Sequence, residues 1–347
     1  MKNIDWSKLS FSYTQTKALV YSRCIDGKWE TPTVTENFNI CLNSFAGIFH
    51  YAPSCFEGLK AFRGVDGRIR LFRPDKNAKR MADSATYLDM PYPSEEMFIN
   101  MCVQCVKENI DYLPPYEASG ASLYLRPILI GINPQLGIHS ARDVMFAVMC
   151  SPVGTYSGAK SLSPGNAVIS RNYDRASTFG SGCYKLGANY AQSLHAYNIA
   201  HNTGYRELLF LDSATKTTIE EFGSSNFFAI KGNTYITPRS GSVLPSITNN
   251  SLRKVAADMG LNVEVRPIKV EELAEFDEVN SCGTAVVITP ICSIDDKPQL
   301  ECEEASRHYT FGSPDKCGAV SEKLYNRIIG IQKGLEEDTH KWCLFID

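Results

Sequence analysis

Residues Gly182 to Tyr190 read GCYKLGANY, and the fold turns on what Lys185 does between its two flanking glycines. Two nucleotide-binding folds are excluded here. A phosphate loop needs GxxxxGK followed by Ser or Thr, whereas Leu186 follows Lys185. The GxGxxG spacing of a dinucleotide site, with its acidic residue further along, is also absent. A lone lysine is ordinarily a solvated surface charge. Lys185, however, stands just ahead of a polar, helical run, where a helix dipole and apolar neighbours favour the neutral amine. Lysine ordinarily titrates at about 10, so amine chemistry, above all a Schiff base, requires such a depression.

The 347 residues predict about two domains, each able to bury its own core. With 44% hydrophobic and 21% charged residues, the chain reads as globular rather than disordered or fibrous. A balance of 35 basic against 38 acidic residues leaves no broad positive field for nucleic acid or an anionic membrane. Small-molecule substrates are the expected partners. The segment MKNIDWSKLS has no apolar signal-peptide core, and Asp5 suits a transit peptide poorly, so a cytoplasmic location is expected. The most apolar run, LYLRPILIGI, is interrupted by Arg126, and no membrane span is predicted. The 12 cysteines are scattered and should be reduced thiols. Cys102 and Cys105 recur at helical spacing with Phe98, Met101 and Val106, which favours core packing over redox chemistry. The six histidines lack ligand spacing, and no metal is expected.

An α+β domain is predicted over 1–153, a Gly/Ser/Pro-rich linker over 154–166, and a larger α/β domain over 167–347. In the first, IDGK and VDGR are Asp-Gly hairpin turns, PDKNAKRMADSATYLDM and the run from Ser94 are helices, and ASLYLRPILIGI and DVMFAVMCSPVG are strands. In the second, a helix running to Asn202 is stopped by Gly204, a Gly-Asn turn joins two strands after Glu221, and SITNNSLRKVAADMG is a helix closed by Gly260.

A Schiff-base lysine that serves pyridoxal phosphate needs an acid for the pyridine nitrogen, a donor for the phenolic oxygen and a cradle for the phosphate. Glu221 lies on a strand among apolar residues, where an unpaired carboxylate is costly and a protonated ring nitrogen suits it; the other reading leaves Glu220 and Glu221 both solvated. Tyr190 follows Lys185 by five residues, near the same helix start, though it also suits a packed core tyrosine. LPSITNNSL gives a helix N-terminus whose amides at Ile247 and Thr248 attract a dianion, unless the helix is simply capped. Gly283 and Thr284 add close backbone and a hydroxyl donor.

HYAPSCFEGLKAFRG, FRPDKNAKRMADSA, YLRPILIG, YKLGANYAQSL, IEEFGSSNFF, LPSITNNSL and CGTAVVITPI occur in the order and spacing of the branched-chain amino acid aminotransferases. The chain resembles that family from about residue 30 to 345. The resemblance implies the two-domain fold type IV of pyridoxal-phosphate enzymes, like that of D-amino acid aminotransferase. It implies Lys185 as Schiff-base lysine and proton carrier, Tyr190 on the phenolic oxygen, Glu221 on the pyridine nitrogen, and Arg80, Ile247, Thr248 and Thr284 on the phosphate. Tyr124 and Arg126, two apart on a strand, share a face. By similarity that face lines the substrate site, with Tyr51, Phe56 and Tyr156 as apolar walls and Gly58 and the Thr284-Ala285 backbone close to substrate. The loop with Leu136 and Ile138 resembles one that reaches into a partner subunit, so a homodimer is expected. Some family members carry a CxxC pair just after the Gly-Thr-Ala motif. Val286 and Thr289 stand there instead, so that thiol switch is not expected.

The expected reaction exchanges an amino group between L-leucine, L-isoleucine or L-valine and 2-oxoglutarate, in two half-reactions. The alternatives are another fold type IV enzyme, a D-amino acid aminotransferase or an aminodeoxychorismate lyase, and a non-enzymatic carrier of the cofactor.

Overall fold

A computed structural model describes residues 4–118, 120–154 and 162–346. Residues 155–161 of the expected linker, Tyr156 among them, lie outside the described residues. The chain forms two compact units: Met1–Gly158 with Tyr184–Ala188 and Gly330–Asp347, and Ala159–Cys183 with Asn189–Ile329. Both are mixed α/β, each around one nine-stranded sheet. The sequence boundary had left residues 184–188 and 330–347 in the second domain. The first unit takes them up because Leu186 is buried in its core and Cys343–Ile346 pairs antiparallel with Ile69–Phe72.

In the first unit the strands run in the order Cys343–Ile346, Ile69–Phe72, Leu59–Arg63, Ser122–Gly131, Val144–Val153, Leu19–Ile25, Lys28–Trp29. Asp26 and Gly27, both at positive φ, make the tight turn between the last two. Along Ser122–Gly131 burial alternates, and Leu123, Leu125 and Leu129 point into a core completed by Met81 and Ala85 of one helix and Phe98, Met101, Cys102 and Cys105 of another. Those helices are Pro74–Tyr87, with proline in its first turn, and Glu95–Glu108, capped by Ser94. The first stops short of the Met90 expected from sequence. The Met90 amide turns back to the Ala85 carbonyl while Asp89 takes a left-handed conformation.

The second sheet runs Ile219–Phe222, Glu207–Leu211, Gly165–Ser170, Val287–Asp296, Glu278–Gly283, Asn226–Lys231, Thr234–Pro238, Asn262–Arg266. Its parallel neighbours Gly165–Ser170 and Glu207–Leu211 are buried on both faces, which is why ELLFL is almost continuously apolar. One face packs Ala167, Ile169 and Leu209, and the other packs Val168, Leu208 and Phe210 against Ala196 and Ala200 of the helix Gly187–Asn202. That helix and Ile247–Asp258 are each followed by a glycine at positive φ, Gly204 and Gly260. All twelve cysteines are free thiols. Among the described residues no helix is long and apolar enough to cross a membrane, and no group of His, Cys, Asp and Glu is arranged to hold a metal ion.

Glu207 is buried at the start of its strand with Oε2 lacking a hydrogen-bond partner among the described residues. Burial pushes its carboxyl up to about 7. The folded chain therefore keeps a proton that the unfolded chain releases at lower pH. Its contribution is complete below the ordinary glutamate value and is lost as pH rises through about 7. Glu207→Gln should match the parent in thermal melts near pH 5 and exceed it near pH 8.5, by up to about 3 kcal/mol. Equal effects at both pH values would refute this account.

Candidate active site

Antiparallel register in the first sheet pairs Phe56 with Ile128 and Lys60 with Tyr124. Since alternate residues share a face, Phe56, Lys60, Tyr124, Arg126 and Ile128 stand together on the side away from the helices. Arg126 Nη2 donates to the Tyr124 hydroxyl at 3.2 Å, and its guanidinium carbon lies 4.8 Å from the centre of the Phe56 ring. Lys185 Nζ lies 4.7 Å from the same centre. The Tyr124 hydroxyl also explains Gly58, because a Cβ there would sit 2.1 Å from it. Phe11 packs edge-on against Tyr124, with ring centres 5.0 Å apart.

The Lys185 backbone is held from both sides. Its N–H donates to Ser84 Oγ at 3.0 Å, and its carbonyl accepts the Phe56 N–H at 3.1 Å. Leu186 is buried beside Cys55, and Tyr184 stacks on Tyr87 with ring centres 4.2 Å apart. Ser84 belongs to a polar stripe, Asn77, Arg80 and Ser84, at helical spacing on a buried face. The other two meet Glu57. Arg80 Nε and Nη2 donate to its two carboxylate oxygens at 2.8 and 2.7 Å, and Asn77 Nδ2 donates to Oε2 at 2.7 Å. Arg80, expected on a phosphate, thus has two of its donors engaged in a buried ion pair.

In the second unit Glu220 and Glu221 are both buried, which overturns the reading that left them solvated. Glu221 is 3% exposed. Its Oε1 accepts the Leu244 N–H at 3.1 Å and lies 2.9 Å from Arg175 Nη2, while Oε2 accepts Asn226 Nδ2 at 2.6 Å. Burial raises its pKa above the usual carboxylate range; Arg175, the Leu244 amide and Asn226 pull it back. Asn249 Nδ2 donates to Asn226 Oδ1, coupling Glu221 to the first turn of the helix Ile247–Asp258. Ser246 caps the Asn249 amide of that helix, as the capped alternative required. The Ile247 and Thr248 amides have no acceptor among the described residues, so the anion-binding reading keeps its donors. Thr284 and Ala285 form the half-buried bend between Glu278–Gly283 and Val287–Asp296. Tyr190 is half-buried on the helix Gly187–Asn202.

Tyr51, Leu136 and Ile138 are exposed. Leu136 and Ile138 are 79% and 86% exposed, and the Tyr51 hydroxyl donates to the Leu136 carbonyl at 2.5 Å. Sequence reasoning missed Phe11, Glu57, Lys60, Asn77, Ser84, Arg175 and Asn226. The polar stripe of Asn77 and Ser84 between core alanines was the one available signal. Lys60 is buried, and desolvation lowers its pKa to about 8.

The model for amino-transferase class IV matches residues 54–294, so this fold and lysine seat define a class IV aminotransferase. A branched-chain-amino-acid aminotransferase of Helicobacter pylori is 40% identical over 99% of this chain and 98% of its own length. The protein of that name in Haemophilus influenzae is 40% identical, with both chains covered completely. The crystal structure of the Escherichia coli branched-chain amino acid aminotransferase, 25% identical, superposes with a TM-score of 0.76 over 96% of this chain and all of that one. The chain belongs to the branched-chain-amino-acid aminotransferases.

Arg80→Ala should lower stability as well as any anion binding, because it leaves the Glu57 carboxylate buried and unpaired. Breaking such a pair costs about 3–5 kcal/mol. Adding Glu57→Gln to Arg80→Ala should recover part of the lost melting temperature. No recovery in the double variant would show that the pair is not the source of the loss.

Proposed function

We propose that the chain catalyses reversible amino transfer between L-leucine, L-isoleucine or L-valine and 2-oxoglutarate, with pyridoxal 5'-phosphate as cofactor. The observation that carries the reading is Lys185, its backbone fixed on both sides and its amine against the face of Phe56. The residues fit the cofactor's chemistry. Glu221 is a buried carboxylate suited to a protonated pyridine nitrogen, and Ile247 and Thr248 offer helix N-terminal amides to a phosphate dianion. Arg80 and Thr284 add donors to the phosphate, and Tyr190 supplies one to the phenolic oxygen. When bound, pyridoxal phosphate supplies the carbonyl carbon that holds the amino group between the half-reactions.

Lys185 Nζ would carry the proton between the substrate α-carbon and the carbonyl carbon that the cofactor supplies, outward in the amino-acid half-reaction and back in the 2-oxo-acid one. Glu221, as the carboxylate, holds the proton of the ring nitrogen in place. Phe56 and Tyr156 give the side-chain pocket its apolar wall, Gly58 and the Thr284-Ala285 bend bring backbone to the substrate, and Tyr124 and Arg126 donate to a carboxylate. A second copy of the chain completes the pocket with Leu136 and Ile138. Tyr51, whose hydroxyl donates to the Leu136 carbonyl, adds to the apolar wall beside that loop.

Single-turnover measurements of the two half-reactions test the reading. Leucine should convert the bound cofactor, Lys185→Ala should abolish turnover, and Arg126→Leu should damage the glutamate half-reaction more than the leucine one. Equal losses would place Arg126 at the shared α-carboxylate, and a preference for D-alanine in the parent enzyme would overturn the substrate assignment. Sedimentation should show a dimer that Ile138→Asp weakens; a monomeric parent would remove the second copy from the site.

A further inference from the structure

Arg175 lies ten residues before Lys185, in a stretch with no recognisable motif, and is almost entirely buried. One nitrogen does most of its work. Nη2 lies 2.9 Å from Glu221 Oε1, donates to the Gly182 carbonyl at 3.2 Å, and donates to the Ser242 carbonyl. These partners belong to the strand Ile219–Phe222, to the segment that leads into Lys185, and to the segment ahead of the helix Ile247–Asp258. Ser242 Oγ in turn donates to Glu220, and Asn226 ties the other oxygen of Glu221 to Asn249. A buried guanidinium bridging three segments is costly unless its charge is answered, and Glu221 is the carboxylate that answers it.

We infer that Arg175 is a positioning residue of the reaction: it keeps Glu221 ionised and aimed, and registers the segments that precede Lys185 and the Ile247 helix against that carboxylate. The inference rests on the reading that Glu221 serves the pyridine nitrogen of pyridoxal phosphate. The guanidinium works through Glu221 and touches no reacting atom. Among the described residues, Glu221 also interacts electrostatically with Glu220, its neighbour in the chain, and with the Cys282 thiol, which burial keeps protonated. Arg175 is the cation whose charge favours the ionised carboxylate, so without it a Glu221 proton is retained to higher pH and the ring-nitrogen proton is held less firmly.

The test uses the whole chain with added pyridoxal phosphate, in the parent, Arg175→Met and Arg175→Lys. Three readouts are taken: the dissociation constant of pyridoxal phosphate by fluorescence quenching, the pH titration of the bound cofactor's visible band, and steady-state kcat and KM for leucine. Arg175→Met should displace the spectral titration and lower kcat by about tenfold or more while KM changes by less than about threefold. Arg175→Lys, which keeps the charge but not the fork, should fall between. An Arg175→Met protein that binds cofactor with the parent's spectral titration and a kcat within about twofold of the parent's overturns the inference. So does a melting temperature that falls with no spectral change, since a purely structural role predicts that. If the parent itself binds no pyridoxal phosphate, the functional reading fails first and takes the inference with it.

Discussion

The constraint on which the site depends is the two-sided hold on the Lys185 backbone. A lysine side chain carries about 2 kcal/mol of rotamer entropy, so its amine is useful only if the main chain delivers it to one place. The Lys185 N–H donates to Ser84 Oγ and the Phe56 N–H donates to the Lys185 carbonyl, so the residue behaves as an added rung on the strand Ser54–Phe56. The same strand presents Phe56 to the lysine amine. One strand thus meets both the carbonyl and the side chain while a helix holds the amide, which is a firmer arrangement than a lysine borne on a free loop. Leu186 anchors the far side by burying itself in the sheet's core.

Each unit holds a buried ion pair, Glu57 with Arg80 in the first and Glu221 with Arg175 in the second. A buried pair contributes little net stability, because desolvation of both ions offsets their attraction. Their value lies in direction. Glu57 accepts both donors of the Arg80 fork and also Asn77, which ties the helix Pro74–Tyr87 to the link between the strands Ser54–Phe56 and Leu59–Arg63, while Ser84 of the same helix accepts the Lys185 N–H. Glu221 is fixed by three donors from separate segments, so its carboxylate cannot rotate without stranding a buried group.

Much of this was legible in the sequence where local rules decide. The alternation in SLYLRPILIG gave both the strand and the shared face of Tyr124 and Arg126, and the Asp-Gly and helix-stop glycines marked their turns because few other residues tolerate positive φ. Long-range pairing was not legible. Nothing in CLFI near the chain's end announces that it pairs with IRLF some 270 residues earlier, since both are ordinary apolar strands. Glu57 and Arg80 are separated by 23 positions and become partners only through the packing of a helix on a strand. Glu220 and Glu221 illustrate the limit most clearly. Adjacent carboxylates on a strand ordinarily put at least one in water. Here both are buried because hydroxyls of Ser240 and Ser242 serve one, and Asn226, Leu244 and Arg175 serve the other.

Under the proposed function, the same face would have to reconcile two demands on one pocket. An aliphatic side chain gains about 0.8 kcal/mol for each buried methylene, whereas a carboxylate brought to the same wall needs donors that do not cost the apolar substrate its seat. Phe56 answers the first demand, and its ring has Arg126 at 4.8 Å. A guanidinium is planar and weakly hydrated, so it can lie against an aromatic ring while its edge remains available to donate. Lysine at position 126 would keep the charge but demand water around it, and that water would have to leave whenever leucine entered. Tyr124 adds a hydroxyl that accepts from Arg126 and can lie this close to the backbone at position 58 only because Gly58 has no side chain. The face is therefore apolar at Phe56 and polar at Tyr124 and Arg126, and the absence of a Cβ at Gly58 leaves room for the Tyr124 hydroxyl.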